Sequence, residues 1–313
     1  MTTHSRRLML LDAPSLYFRA FFGVPRTTVS ADGRPVNALK GLLESIAHLV
    51  TVSRPTHLIA CMDADWRPAW RVAAMPSYKA HRVAEGLAEA VPDDLTQQVP
   101  LICAALDALG VAWVGVESYE ADDVIATLAG RSPRPVEVVT GDRDLFQVVD
   151  DARRIRVLYI AKGVVRHEVI DEAAVTARYG IPGRAYAEFA LLRGDSSDGL
   201  PGVAGIGERG AASLIARYGS VAGVLAAAGD PASGMRQELR RKLEASRAYL
   251  AAADAVARVV TDVPVPAIDG RLPAEPADPA ALVALADGLG LDPTFNRVLA
   301  AMARHAPADE TSG

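Results

Sequence analysis

Arg7-Leu8-Met9-Leu10-Leu11-Asp12 is a short apolar run that ends in an acid. Consecutive apolar residues without polar alternation read as a strand buried on both faces, the kind found inside a parallel sheet. The same pattern returns at His57–Asp63, and again at Val136–Thr140, which runs into Gly141-Asp142. Val111–Val116 is also strand-like. Helical spacing fills the gaps. Asn37–Ser53 carries Leu39, Leu42, Leu43, Ile46, Leu49 and Val50, Asp93–Leu109 reads as one helix, and Tyr119–Ala129 opens on acids, as a helix dipole prefers. Ile155–Tyr159 and Val164–Val169 look like a strand pair around Lys162-Gly163. This alternation predicts an α/β fold, with a mostly parallel central sheet and helices on both faces. From about Glu172 the pattern turns helical. It contains a glycine-rich turn at Gly202–Gly207, followed by a helix at Glu208–Tyr218. The tail beyond Pro307 is small and polar and reads as disordered.

A chain of 313 residues fits two domains, or one large core with an appended lobe. Half of it is hydrophobic, enough to bury a sizeable core. His4, Arg6 and Arg7 precede only a short apolar run, so no secretory signal is expected. No stretch approaches the roughly 20 apolar residues of a membrane span. Cys61 and Cys103 both lie in apolar segments and read as buried free thiols of a cytoplasmic protein, which argues against a structural zinc site. Arginine outnumbers lysine and alanine is abundant, a bias of base composition without functional weight.

The acids stand in a particular order: Asp12, Asp63, Glu120-Ala121-Asp122-Asp123, Asp142-Arg143-Asp144 and Asp195-Ser196-Ser197-Asp198. Strand-end carboxylates of one sheet converge on its C-terminal edge, where α/β proteins bind ligands. Left bare they would repel one another. Mg²⁺ or Mn²⁺, hard cations that take oxygen ligands, would remove that repulsion. A multi-metal carboxylate site of this kind cuts phosphodiesters. Any single strand-end aspartate reads most simply as a turn former or helix cap; the set as a whole does not. The net charge of −5 does not exclude a nucleic-acid partner, because two divalent ions would offset four of those charges and leave local basic patches to act.

Arg67-Pro68-Ala69-Trp70-Arg71 through Tyr78-Lys79-Ala80-His81-Arg82 interleaves cations and aromatics. Cations bind phosphate and rings stack unpaired bases, although a solvated helix face over buried tryptophans has the same composition. The glycines of Gly202–Gly207 would let backbone approach a phosphate, with the next helix offering its N–H groups. No strand immediately precedes that turn, which disfavours a dinucleotide fingerprint.

With these residues in place, the chain resembles the bacterial 5′ nucleases, which comprise the 5′→3′ exonuclease domain of DNA polymerase I and stand-alone flap endonucleases. The likeness runs from Leu10 to about Leu299. It rests on Tyr119-Glu-Ala-Asp-Asp123, Thr140-Gly-Asp-Arg-Asp144, Gly194-Asp-Ser-Ser-Asp198 with Gly199-Leu-Pro-Gly202, Gly205-Ile-Gly-Glu208, and Tyr78-Lys79-Ala80-His81-Arg82. No polymerase segment follows, so the stand-alone form is the one resembled.

The resemblance implies a two-metal site. Asp12, Asp63 and Asp122 would hold the ion that activates water. Asp142 and Asp144 would complete the inner cluster, and Asp198 would hold the second ion, with Asp195 and Glu120 working partly through water. Lys79 and Arg82 would steer the scissile phosphate at the base of a helical arch (about 64–100), with Asp122 central to the chemistry. Tyr78 would stack the terminal base. Arg19 and Arg71 are expected to add DNA contacts. Gly202–Gly207 matches a helix–three-turn–helix element (about 185–220), in which Gly205, Gly207 and Arg209 would meet duplex DNA. Carbonyls of Gly202, Val203 and Ile206 would hold K⁺ there. The implied layout is a nuclease domain at 1–170, a helical DNA-binding domain at 171–305 and a disordered tail at 306–313. The expected protein is a monomer acting on 5′-flap, nicked or gapped DNA and RNA–DNA junctions in replication and repair. Two departures stand out: Gly199 replaces the family's usual Asn, and Arg209 replaces its usual Lys. A ribonuclease of the related small-nuclease fold needs neither arch nor three-turn. A non-catalytic junction binder would not need the complete acid set.

Overall fold

The computed structural model describes residues 6–83 and 91–307. In chain order its strands and longer helices are β1 (Leu8–Asp12), α1 (Ala13–Gly23), α2 (Asn37–Ser53), β2 (His57–Cys61), α3 (Ala69–Ala74), α4 (Asp93–Thr96), α5 (Gln98–Leu109), β3 (Ala112–Val114), α6 (Ala121–Arg131), β4 (Val136–Thr140), β5 (Ile155–Tyr159) and β6 (Glu168–Ile170). They continue as α7 (Glu172–Tyr179), α8 (Tyr186–Arg193), α9 (Glu208–Tyr218), α10 (Val221–Gly229), α11 (Gln237–Ala245), α12 (Arg247–Ala257), α13 (Pro279–Leu289) and α14 (Asp292–His305). Among the described residues, no single helix is long and apolar enough to cross a membrane.

The six strands form one sheet in the order β3-β2-β1-β4-β5-β6. All neighbouring pairs are parallel except β5 with β6. The chain therefore winds outward from β1 in both directions, through β2 to β3 and through β4 to β6. The crevice between the C-terminal ends of β1 and β4 is the topological switch point, the place where an open α/β sheet leaves room for a ligand.

Alternation along β1 divides the core. Leu8 and Leu10 face one apolar cluster, Met9 and Leu11 the other, because successive side chains of a strand point to opposite faces. The second cluster lies under α2 and α5. It also takes in Leu282 and Leu289 of α13 and Phe295, Val298 and Met302 of α14, so the last two helices return to the sheet. The first cluster passes under α6 and continues without a break into α7–α12 through Tyr186, Phe189, Leu214, Val224, Leu243 and Leu250. A segment after α12 straps across α6: Val260 N–H donates to Asp123 Oδ1 (2.8 Å) and Val263 N–H to Thr127 Oγ1 (3.2 Å).

Some expected elements take a different form. Asp93–Leu109 is broken at Gln97 into α4 and α5. The break lets the Gln98 side chain turn inward, where its Oε1 accepts from the N–H groups of Ala38 and Leu39 and satisfies the start of α2. The strand expected at Val164–Val169 begins as a 3-10 turn at Val164–Arg166, and only Glu168–Ile170 pairs with β5. Cys61 is buried, whereas Cys103 is only partly so. Part of the expected arch, 84–90, and the tail from 308 lie outside the described residues.

Candidate active site

Asp12 ends β1 and caps α1, accepting from Ser15 N–H at 3.1 Å. Its other oxygen accepts from Thr140 Oγ1 (2.5 Å) at the end of β4, and the same hydroxyl oxygen accepts from Asp142 N–H (2.8 Å). Thr140 thus ties the two strand ends together. Asp63 follows β2 by two residues and accepts from Ala121 N–H at 2.7 Å, which sets the start of α6 against it. Asp122 lies in the first turn of α6. These four acids and Glu120 line one cleft of about 450 Å³, together with Lys79 and Arg82. Arg143, Tyr159 and Ser197 complete its wall.

Asp144, Asp195 and Asp198 do not line that cleft but continue from it. Asp144 N–H donates to Asp142 Oδ1 (2.9 Å), and the charge of Asp144 is felt with those of Asp142, Asp198 and Asp195. Asp195 is engaged by Arg193 (2.7 Å) and by the Ser197 hydroxyl (2.5 Å). Burial raises Asp12 to about 7, with Asp63 and Asp142 adding repulsion against the relief given by the Thr140 and Ser15 hydrogen bonds. Burial likewise raises Asp198 to about 6. It pushes Asp122 and Asp144 well above the carboxylate range, helped by Asp12 and Asp142 in the first case and by Asp142 and Asp198 in the second. Carboxylates held this way lack positive charge.

Among the described residues, no group of three or more His, Cys, Asp or Glu comes together closely enough to hold one ion. The donor set still fits hard divalent cations in kind. It is entirely carboxylate oxygen, it is concentrated at one sheet edge, and burial together with repulsion from neighbouring acids disfavours the charged forms of Asp12, Asp122 and Asp144.

Glu120 behaves differently from the other acids. Its two oxygens accept from Tyr78 Oη (2.9 and 2.7 Å), from Lys79 Nζ (2.5 Å) and from the Arg71 guanidinium. Burial opposes the Lys79 ammonium, but Glu120, Tyr78 and Asp198 around it outweigh that and raise it above the ordinary lysine range. Arg71 also reaches Asp123 Oδ1 (2.7 Å), and its guanidinium lies over the Trp70 ring at 4.6 Å.

Two expected DNA contacts are corrected by this arrangement. Arg71 is 2 % exposed and spends its charge on Glu120 and Asp123. Tyr78 is 1 % exposed with its hydroxyl on Glu120, so no ring face is open to a base. Arg67, from the same cation-rich stretch, donates to the carbonyls of Tyr78 (2.6 Å) and Pro76 (3.0 Å). Arg71 is held inside because Glu120 and Asp123 need buried positive charge, and Tyr78 because its hydroxyl donates to Glu120. Lys79 and Arg82 do face the cleft, and Arg82 donates to the Ser197 carbonyl at 2.9 Å. Arg19 is exposed on α1 near Gly141. Sequence reading gave Thr140 no role, although its hydroxyl in Thr140-Gly141-Asp142 was an available signal. It placed Asp123 among the acids, three residues after Glu120 on the helix; its pairing with Arg71 came only from packing.

Gly202–Gly207 lies in the connection from α8 to α9, with Gly202 packed against the backbone of Arg193-Gly194. Val203 and Ile206 are buried and pin the turn, with Val203 N–H donating to Leu192 O (3.0 Å) and Ile206 N–H to Val203 O (2.9 Å). Gly205, Gly207 and Arg209 are exposed. The substitution at Gly199 also has a local reason. Its φ is +74°, and a Cβ there would lie 2.3 Å from Ser77 O. The loop carrying Asp195 and Asp198 is packed directly against the Ser77–Lys79 backbone, with Lys79 N–H donating to Asp198 O at 3.1 Å.

Residues 7–180 match the family described as 5′-3′ exonuclease, N-terminal resolvase-like domain, and residues 181–280 the family described as 5′-3′ exonuclease, C-terminal SAM fold. The chain belongs to the 5′-3′ exonuclease family, a family of nucleases. A 5′-3′ exonuclease of Streptomyces coelicolor is 56% identical over 296 residues, covering 93% of this chain and 98% of that protein. One from Mycobacterium tuberculosis is 50% identical over 309 residues, covering 94% and 97%. DNA polymerase I of Mycobacterium bovis is 37% identical over 275 residues, covering 87% of this chain and 29% of the polymerase. Among solved structures, the T5 5′-exonuclease with bound zinc superposes with a TM-score of 0.64 at 16% identity, covering 96% of this chain and all of that one. Human GEN1 in complex with Holliday junction DNA gives 0.66 at 16%, covering 95% and 72%. At that identity the structures share the fold.

Proposed function

We propose that this protein is a structure-specific 5′ nuclease that hydrolyses DNA phosphodiesters at 5′ ends, flaps and nicks, using divalent cations, in replication and repair. The observation that carries this reading is the meeting of Asp12, Asp63, Asp122 and Asp142 in one cleft with Lys79 and Arg82. Two relatives are named 5′-3′ exonuclease, the T5 enzyme was crystallised with zinc, and a T5 flap endonuclease was crystallised with DNA and metal ions.

In this reading Asp12, Asp63, Asp122 and Asp142 hold the cations, and Asp144, Asp195 and Asp198 extend the set towards the Ser197 side. When bound, Mg²⁺ or Mn²⁺ would supply a water of lowered pKa and charge compensation for the leaving oxygen. Lys79 and Arg82 orient the scissile phosphate and meet its growing negative charge. Glu120 holds Lys79 in place while Arg71 and Tyr78 hold Glu120. The sheet half to about residue 170 carries the chemistry, the helical half carries duplex binding, and α13 and α14 brace the sheet from behind. At the Gly202–Gly207 turn, carbonyls of Gly202, Val203 and Ile206 would accept K⁺; that of Val203 already takes one N–H and has a second lone pair.

The test uses 5′-flap, nicked and single-stranded DNA with Mg²⁺, Mn²⁺ or EDTA, with products sized on a denaturing gel. Cleavage at the flap junction or 5′ end with either ion, and none with EDTA, is expected. Absence of cleavage under every condition, or cleavage indifferent to EDTA, would overturn the reading.

A further inference from the structure

The stretch from Arg236 to Arg247 carries Arg240, Arg241 and Lys242 as well as its two ends, a dense run of positive charge outside the site described above. It does not hang free. Leu243 of α11 is fully buried, and Arg240 Nε donates to the Ala228 carbonyl of α10 at 2.7 Å. Tyr249 of α12 fastens the same unit to the glycine turn: its hydroxyl donates to Leu191 O at 3.0 Å and accepts from Gly202 N–H at 3.1 Å. These anchors bring the Lys242 side chain over the turn. A Cβ built on Gly205 would lie 2.9 Å from Lys242 Nζ. The ammonium is paired with Glu238, one helical turn back at 2.9 Å, whose side chain is 76% exposed.

We infer that Lys242 is a duplex-phosphate contact, its ammonium closing on the same phosphate that the exposed backbone of Gly205–Gly207 receives. The inference rests on the reading of that turn as the duplex anchor. An exposed i,i+4 ion pair is weak, and a phosphate oxygen offers the ammonium a charge-assisted hydrogen bond in its place. Glu238 thus keeps Lys242 extended over the turn and gives it up when DNA arrives. Arg209 is exposed in the first turn of α9, the helix into which the same turn leads.

The experiment measures binding of the full chain to a nicked duplex in EDTA by fluorescence anisotropy, over a range of KCl concentrations. Lys242→Gln should raise Kd about 3- to 10-fold and flatten the slope of log Kd against log salt by about 0.9, the loss of one phosphate contact. Lys242→Arg should retain both. Arg209→Gln is run alongside, and circular dichroism confirms folding of each variant. Wild-type Kd and slope for Lys242→Gln, with weakened Arg209→Gln, would overturn the inference and leave the turn as the anchor. Wild-type behaviour of both variants would overturn the reading of the turn as well. Weaker binding by Lys242→Gln with an unchanged salt slope, or equal weakening by Lys242→Arg, would mark Lys242 as a packing residue and overturn the inference.

Discussion

Asp122 sits at the centre of the cleft in a state that burial and its neighbours make unfavourable for charge. Asp122→Asn should therefore abolish cleavage at saturating Mg²⁺ while leaving the metal-free protein as stable as before, or more so. Thermal melts in EDTA and a flap-cleavage assay separate the two effects; near-normal cleavage would remove Asp122 from the site. Arg71 calls for the opposite pattern. It balances Glu120 and Asp123 in a buried setting, so Arg71→Met should cost about 3–5 kcal/mol of stability by leaving Asp123 without its buried cation and Glu120 with Lys79 alone. A surface DNA contact would cost almost nothing. Urea unfolding of the variant distinguishes the two. Asp12, Asp122 and Asp142 line one cleft, as their local patterns suggested: an acid ending β1 for Asp12, one just after β4 for Asp142, and an acid opening a helix for Asp122. Sequence reading misplaced Arg71 and Tyr78, because their partner Glu120 lies more than 40 residues away and only packing brings them together.

At the scale of elements, the loop carrying Asp195 and Asp198 is fixed to the Ser77–Lys79 backbone, and Gly199 is what permits the contact. Restoring the family's usual residue by Gly199→Asn should push these two segments apart, with a loss of about 1–3 kcal/mol as for other strained backbone sites. Single-turnover cleavage should fall too, since Lys79 and Asp198 would separate. A variant of unchanged thermal midpoint and rate would show that the contact is dispensable. The glycine turn gives a different expectation. At Gly205, φ is +78° and the nearest neighbour of an added Cβ is the flexible end of Lys242. Gly205→Val should strain the backbone and cover the exposed turn. Weaker binding to every duplex, with a flatter salt dependence, is the expected result. Wild-type affinity for nicked duplex would exclude the turn as the anchor.

For the whole molecule, the acidic cleft couples folding to pH. Asp12 is raised to about 7 and Asp198 to about 6, from an ordinary value of 3.8. An acid whose folded pKa is raised contributes stability below pH 4 that is lost as pH climbs through 6 and 7. The metal-free protein should therefore lose thermal stability across that window, and the rise in Tm on adding Mg²⁺ should grow from pH 5.5 to 8. Melts with EDTA and with Mg²⁺ across this range test it; a metal-induced shift independent of pH would contradict the coupling. The amino-acid sequence alone determined the βα alternation, the run of parallel strands, the acids at their ends and the glycine turn, because each is written in a few adjacent residues: an unbroken apolar run, a helical spacing, an acid or a glycine that follows. Tertiary structure alone decided the rest. It placed β1 and β4 side by side so that Thr140 could bind Asp12. It drew Arg71 into the core to balance two buried acids, returned α13 and α14 to the sheet, and set Lys242 over Gly205. These outcomes depend on burial and charge shared between segments far apart in the chain, and no local pattern carries that information.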